Sequence, residues 1–257
     1  MLDKPFADCV ARLRPAAEAT VEHGVFSALT LPNRHSLIIA KIKELVASGD
    51  LGELVLYNSR LNNGPPSRYD PTPSSWHNDP SISGGGCWAT EAAHGIDTFL
   101  QFAGDTPVTV VGAVMSNAVH QREVEDIGLG LLRNEDGITG IVESGYSYPS
   151  GVRGGDHFFR FVGTKASVFA LYGQQGEPLI EVHTPAGVEI SEDLSHGERM
   201  RRVVAGALAA LTAGRDFEVG IVDAVRILEI QDAVYDFARA NKQAIGPHPL
   251  GVAAPRP

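Results

Sequence analysis

Cysteine and long hydrophobic runs are both scarce in this sequence. Cysteine occurs only twice, as Cys9 and Cys87. Two distant cysteines, in a chain long enough to build its own core, favour a reducing compartment over a disulfide scaffold. No apolar run approaches the roughly 18 residues of a membrane-spanning helix. The residues after Met1 also lack the basic and apolar regions of a signal peptide. We therefore expect a cytoplasmic protein.

Positive charge is in deficit. The chain has 21 Lys and Arg against 31 Asp and Glu, a formal net charge of −10. An acidic surface repels phosphate backbones and anionic lipids, so we expect neither nucleic acid nor membrane as a partner. The hydrophobic content of 43% and charged content of 20% are those of an ordinary globular protein. Any specific function must therefore be inferred from motifs.

The start of the chain has the pattern of a strand–helix–strand unit. Residues 8–24 predict a helix, although Pro15 argues for a bend or a late start. Residues 25–30 then form a short apolar strand. The spacing of apolar residues predicts a second helix over 35–48, closed by a glycine, and a strand begins at Leu54.

The middle of the chain changes from loop to sheet. Residues 62–86 are rich in Asn, Gly, Pro and Ser and predict a long irregular loop, and loops of this length tend to be functional or disordered. Tyr69 and Trp76 favour order, and a helix follows from about 88 to 102. Strand patterns with turn signals between them then predict a mostly antiparallel sheet. The predicted strands are 108–115, 127–133, 138–148, 158–162, 167–171 and 179–183.

Two further helices, at about 197–213 and 219–240, complete the pattern. Helices on one face of a large, mostly antiparallel open sheet form the α+β class. We predict a C-terminal α/β domain over 31–245, preceded by a remnant βαβ unit over 1–30. The Pro/Gly-rich residues 246–257 form a tail that we expect to be mobile.

Four motifs occur along the chain in a fixed order, and together they resemble the Gfo/Idh/MocA family. The resemblance covers essentially the whole chain, and it depends on the order and spacing of motifs that are weak individually. The motifs are Asp3-Lys4-Pro5; Asn33-Arg34-His35 with a helix closed by Ser48-Gly49-Asp50-Leu51-Gly52; Gly84-Gly85-Gly86 followed by His94-Gly95-Ile96-Asp97; and Glu125-Asp126 with residues 134–137 and Gly163-Thr164-Lys165.

The resemblance implies an oxidoreductase in which an NAD(P)-binding Rossmann domain precedes a C-terminal domain whose open sheet often forms the oligomer interface. Members oxidise or reduce a carbinol on a sugar, a cyclitol or a related small molecule. A dinucleotide fold needs G-x-G-x-x-G at a helix N-terminus, and this sequence has no such motif. Residues 84–86 do not supply it, because no βαβ unit or partner acidic residue surrounds them. We therefore expect most of the Rossmann domain to be missing, with residues 1–30 as its remnant.

The family motifs identify Lys4 and His94 as candidate catalytic residues. The matching family lysine reaches the substrate hydroxyl, where an ammonium would stabilise an alkoxide. Imidazole titrates near neutrality, so His94 can take the hydroxyl proton. Without the motifs, Lys4 would be interpreted as a surface lysine and His94 as a core histidine.

The helix that carries His94 supplies two candidate substrate-binding residues. Asp97 lies one turn after His94, close enough to influence its tautomer or pKa. Thr90 stands where the family commonly carries an aspartate that helps hold the substrate. A hydroxyl can still bond a sugar, but it brings no charge. Glu91 points about 100° away, so we do not expect a simple exchange of roles with Thr90. Glu91 and His94 also have the spacing of a metal pair, but no further ligands are recognisable and we expect no metal.

The remaining candidates are positional. Arg34 either lines the interdomain cleft, as its family counterpart does, or caps structure. Trp76 and His77 are candidates for sugar stacking and hydrogen bonding, or for anchoring the loop. Lys4, Pro5, Gly85 and Gly86 are the expected contacts to an NAD or NADP cofactor, since glycine permits close backbone approach.

Two functions follow from these observations. The first is an NAD(P)-dependent oxidoreductase of a polyol or sugar, present as a fragment and expected to be a homo-oligomer through its sheet face. The second is a non-catalytic module of the same origin that binds a small ligand or oligomerises.

Overall fold

The computed structural model describes residues 1–68, 76–148, 156–172 and 176–241. Three short 3-10 turns, Pro32–His35, Pro66–Arg68 and Trp76–Asn78, accompany its helices and strands. The helices are α1 (Val10–Glu22), α2 (Leu37–Ser48), α3 (Pro80–Ser83), α4 (Cys87–Ala103), α5 (His196–Thr212) and α6 (Ile221–Ala240). The strands are β1 (Leu54–Asn62), β2 (Val108–Ser116), β3 (Ile127–Asn134), β4 (Thr139–Gly145), β5 (Asp156–Gly163), β6 (Ser167–Tyr172), β7 (Pro178–Thr184) and β8 (Gly187–Glu192).

The strands form one open eight-stranded sheet in the order β2-β3-β4-β1-β5-β6-β7-β8. Every neighbouring pair is antiparallel except β1 and β4, which run parallel. Strand β1 is central, so Leu61 lies beside Ser144 on one side and His157 on the other. The predicted α+β class and mostly antiparallel open sheet are confirmed.

The core lies between the sheet and helices α4 and α6. From Leu56 to Leu61 the residues of β1 alternate between half-buried and buried, as expected for a sheet with one face covered. Helix α4 approaches this face closely because a glycine is present at each of two contacts between the helix and the sheet. A Cβ at Gly95 would lie 2.5 Å from Ser59 Oγ, and one at Gly140 would lie 2.7 Å from the Phe99 ring. This close packing fixes the height of α4 above the sheet and with it the position of His94.

The first thirty residues pack onto the rest of the chain. Leu2 and Leu29 form an isolated parallel bridge, and helix α1 between them lies against α6. The Val10 amide donates to the Asp232 carboxylate at 2.8 Å. Phe6 and Leu13 belong to the same hydrophobic cluster as the sheet and α4. The strand–helix–strand unit is thus present, with each strand reduced to one bridging residue.

Most predicted elements are found within a few residues of their expected bounds. The edge strand β8 was not predicted, because all six of its residues are exposed and it lacks a buried apolar face. Helix α3 lies inside the segment that was predicted as an irregular loop. Tyr69 and the predicted tail over 246–257 lie outside the described residues. Among the described helices, none combines the length and hydropathy needed to span a lipid bilayer.

Candidate active site

A cavity of about 390 Å³ opens between one end of the sheet and the start of helix α5. Its walls come from β5, β6 and β7, from the first turn of α2, and from α4 and α5. One wall is apolar, with Leu61, Phe159 and Leu179 among its members. The basic and acidic lining residues are Lys4, Glu91, His94, His157, Asp193, His196 and Arg199. The volume and the mixed lining are typical of sites that bind small molecules.

Lys4 and Glu91 form an ion pair inside this cavity. Lys4 Nζ lies 2.7 Å from Glu91 Oε1, and the two side chains are 23% and 3% exposed. The lysine comes from the bend that follows Leu2, whereas the glutamate comes from the second turn of α4. A buried carboxylate needs a partner of opposite charge. The pair therefore ties the N-terminal segment to α4 at the cavity wall.

A chain of polar contacts continues from this ion pair into the interior. Glu91 Oε1 accepts from the Tyr146 hydroxyl at 3.4 Å, and that hydroxyl lies 2.6 Å from Thr90 Oγ1. Thr90 in turn donates to the Gly86 carbonyl at 2.9 Å. Thr90 is buried and does not line the cavity. Of the neighbours Thr90 and Glu91, only Glu91 lines the cavity, and it lies three positions before His94.

His94 lines the same cavity one turn along α4 from Glu91. Its Nδ1 atom is buried and has no hydrogen-bond partner among the described residues. Burial, reinforced by the positive charge of Lys4 and by His196, His157 and Arg199, lowers the pKa of His94 from 6.5 to about 3. The imidazole is consequently neutral at pH 7, which is the form that can accept a proton.

Arg34 and Asp97, both predicted to contact substrate, contact each other. Arg34 Nε lies 3.0 Å from Asp97 Oδ2, and Arg34 Nη2 lies 2.6 Å from Asp97 Oδ1. Neither residue lines the cavity. Burial raises the pKa of Asp97 and the guanidinium opposes this effect. Asp97 therefore faces the 3-10 turn before α2, and it is not among the groups that shift the pKa of His94.

The predicted cofactor contacts Gly85 and Gly86 are packed against the protein itself. A Cβ at Gly85 would lie 2.0 Å from Tyr235 Oη, and one at Gly86 would lie 2.1 Å from the Glu125 carbonyl oxygen. The buried Glu125 carboxylate accepts the Gly86 and Trp88 amides, each at 2.9 Å. The N-terminus of α4, where an anion would otherwise bind, is thus capped by Glu125.

Three further predicted residues lie outside the cavity lining. Trp76 and His77 stack on each other with ring centroids 3.7 Å apart, and Trp76 is 39% exposed. Pro5 is half-buried and follows Lys4 through a cis peptide bond. Of the residues predicted from sequence, Lys4 and His94 are the two that the structure brings together in the cavity.

The cavity also contains ionisable residues that sequence reasoning missed. Glu91 could have been found, because positions i and i+3 of a helix share a face and His94 was already a candidate. His157 and Arg199 stand in β5 and α5 and belong to none of the motifs. Only the tertiary fold brings them to His94, so no local signal in the sequence identifies them.

A comparison with protein-family profiles identifies one family. The sequence profile described as the GFO/IDH/MocA C-terminal domain matches residues 39–169, about half of the chain. No curated protein sequence matches this chain.

Solved structures resemble the chain over nearly its whole length. Levoglucosan dehydrogenase, in complex with NADH and levoglucosan, aligns with a TM-score of 0.80 at 19% identity, covering 93% of this chain and 70% of that one. Aldose-aldose oxidoreductase from Caulobacter crescentus, complexed with glycerol, gives 0.76 at 22% identity, with coverages of 93% and 69%. A 3-ketoreductase from Actinomadura kijaniata, in complex with TDP-benzene and NADP, gives 0.70 at 16% identity, with coverages of 91% and 68%. At these identities the likeness establishes a shared fold.

Proposed function

We propose, from the premise that this chain belongs to the GFO/IDH/MocA family, that it binds a sugar or cyclitol and directs the oxidation or reduction of one carbinol. The observation that carries the proposal is the presence of Lys4, Glu91 and His94 in one cavity. The family and the fold support an oxidoreductase role. Solved structures of the same fold contain levoglucosan, L-sorbose and glycerol, which supports a polyol as the substrate class.

The proposed chemistry places the reacting hydroxyl between Lys4 and His94. The ammonium stabilises the negative charge that develops on the oxygen as its proton leaves. The neutral imidazole of His94 accepts that proton, and in the reverse direction it returns it. Glu91 Oε1 lies 2.7 Å from Lys4 Nζ and so fixes the orientation of the ammonium group. Lys4 and His94 are then catalytic residues, and Glu91 is a positioning residue.

The cofactor proposed for this reaction is NAD or NADP, which when bound would accept or supply the hydride. Structures of the same fold contain NADH or NADP. The residues described here do not fit the pyrophosphate of a dinucleotide. Tyr235 and Glu125 fill the space beside the glycines before α4. The Glu125 carboxylate also accepts the backbone amides of Gly86 and Trp88, which an anion would need. We therefore assign this chain's residues to the substrate, and the predicted cofactor contacts of Pro5, Gly85 and Gly86 stay predictions.

The outer face of the sheet is proposed as the site of self-association. Phe158 and Phe169 are half-buried on this face with ring centroids 6.4 Å apart, and Arg60 lies over the Phe158 ring. Light scattering of the purified chain tests the proposal. Replacement of Phe158 and Phe169 by serine should lower the molar mass to that of a monomer.

The function is tested by two measurements on the whole chain. The first is a titration with NADH and NADPH, followed by nicotinamide fluorescence. The second is a screen of sugars and cyclitols for substrate-dependent reduction of NAD+ or NADP+. Turnover that falls by about 10²–10⁴ in His94→Gln supports the proposal. Turnover unchanged in His94→Gln removes His94 from the mechanism, and sugar binding without any turnover favours the non-catalytic binding module.

A further inference from the structure

Arg199 is a buried cation that has no ionic partner among the residues that the structure describes. Arg199 is 8% exposed and lies in the first turn of α5. Arg199 Nη1 donates to Asn33 Oδ1 at 2.9 Å, whereas Arg199 Nε is buried and has no hydrogen-bond partner in the described part of the chain. No described carboxylate pairs with this guanidinium. A buried charge is costly unless it is paired. The ionic partner of Arg199 would therefore come from a ligand that enters the cavity.

The charge balance of the cavity supports the same conclusion. Glu91 is already paired with Lys4. The other lining carboxylate, Asp193, accepts the backbone amides of Leu37 and Leu194 at 2.6 and 2.7 Å. Both lining carboxylates are therefore engaged, and the positive charge of Arg199 remains uncompensated.

The position of Arg199 relates it to the proposed reaction. The guanidinium is one of the groups that lower the pKa of His94 and of the neighbouring His196. Arg199 and His94 also line the same cavity of about 390 Å³, so one small ligand can contact both. The N-terminus of α5 adds the positive end of a 17-residue helix beside it.

We propose that the cavity selects a sugar that carries an anionic group, and that Arg199 binds this group. This inference rests on the proposed function for the carbinol and extends it to the charge of the substrate. A guanidinium binds both carboxylate and phosphate oxygens, often through two parallel hydrogen bonds. Both sugar acids and sugar phosphates carry the required chemistry. The ligand's anion would supply the partner that Arg199 Nε lacks.

The test is calorimetric titration of the full chain with three probes, in the absence of cofactor. The probes are D-glucuronate, D-glucose 6-phosphate and D-glucose. We expect at least one anionic sugar to bind tenfold or more tightly than glucose. Arg199→Gln should remove this preference, and Arg199→Lys should retain part of it, because an ammonium keeps the charge but loses the planar fork. The stronger of the two anionic probes identifies carboxylate or phosphate as the natural group.

The controls separate the site from general charge and from misfolding. Arg133→Gln makes the same change in net charge at an exposed position of β3 outside the cavity and should leave the preference intact. Thermal unfolding of each variant establishes that it folds, and the comparison of anionic with neutral probes on the unmodified chain needs no variant at all. The proposed anion site is wrong if the anionic sugars bind no better than glucose. It is also wrong if none of the three probes binds. The oxidoreductase proposal is decided separately by its own turnover assay.

Discussion

Lys4 Nζ and Glu91 Oε1 lie 2.7 Å apart, although 87 residues separate them in the sequence. The family motif commonly has an aspartate at the position of Thr90, and here the neighbouring Glu91 supplies the carboxylate that reaches into the cavity. One position along a helix rotates a side chain by about 100°. The longer glutamate side chain still brings its carboxylate to the lysine. Glu91 therefore supplies a carboxylate to the cavity although Thr90 is uncharged.

The Glu91–Lys4 pair gives the first prediction. Glu91→Gln keeps the size of the side chain and removes its charge, so the Lys4 ammonium loses its fixed direction. We expect kcat to fall by about a hundredfold, the lower end of the range found for acid–base residues, with a smaller change in KM. Glu91→Asp should recover part of the rate. Steady-state kinetics of these variants, with Thr90→Ser as the matched control, measures the effect; equal losses in Glu91→Gln and Thr90→Ser would contradict it.

The second prediction concerns the pH dependence of His94. An ordinary histidine would lose its proton-accepting form as the pH falls through about 6.5, but the pKa of His94 is lowered to about 3. We expect kcat/KM to show no decrease near pH 6.5 that depends on His94. An NMR titration of the ring resonances checks this directly. A His94 signal that shifts with a midpoint near 6.5 would show that the imidazole is solvated.

The same low pKa has a consequence for stability. Below pH 6.5 the unfolded chain binds a proton at His94 and the folded chain does not, so the free energy of unfolding decreases as the pH falls towards 3. At pH 5.5 this single group should cost about 1.4 kcal/mol. His94→Gln removes the penalty. Denaturant unfolding of both proteins at about pH 7.5 and pH 5.5 should therefore show a smaller loss in the variant.

The third prediction concerns Arg34 and Asp97, whose side chains are 13% and 2% exposed. Asp97→Asn leaves a mostly buried guanidinium without its carboxylate, and we expect a loss of about 3–5 kcal/mol in the free energy of unfolding. The matched control is Asp236→Asn, which breaks the exposed pair with Arg239 and should change stability little. A large rise in KM without loss of stability would instead support the predicted contact of Asp97 with substrate.

The sequence predicts the sheet and the long helices well, because their apolar residues follow the period of the element. Strand β1 alternates from Leu56 to Leu61, and most of the buried positions of α4 are apolar. Edge strand β8 has no buried residue, so its sequence carries no such period. Local patterns therefore identify elements that contribute to the core and miss those that only extend it.

The site was predictable only where a motif or a helical spacing reported it. Lys4 and His94 were found through the family motifs. Glu91 could have been found from its helical spacing, because it lies three positions before His94 on the same face of α4. Arg199 was not found because nothing near it in the sequence distinguishes it from a surface arginine. Its burial and its missing partner are properties of the tertiary structure.

The fourth prediction decides what the glycines before α4 contribute. The sequence predicts that Gly86 contacts a cofactor, whereas the structure shows that an added Cβ would lie 2.1 Å from the backbone oxygen of Glu125. Backbone cannot move aside as a flexible side chain can, so Gly86→Ala should destabilise the chain by about 1–3 kcal/mol or more. Gly197→Ala is the matched control, because Gly197 lies in α5 with open space around it, and it should be neutral or stabilising by up to about 1 kcal/mol. Thermal unfolding and cofactor titration of both variants separate the two explanations. A loss of stability in Gly86→Ala supports packing against Glu125. Unchanged stability with weaker binding of NADH or NADPH would show that the glycine serves the cofactor.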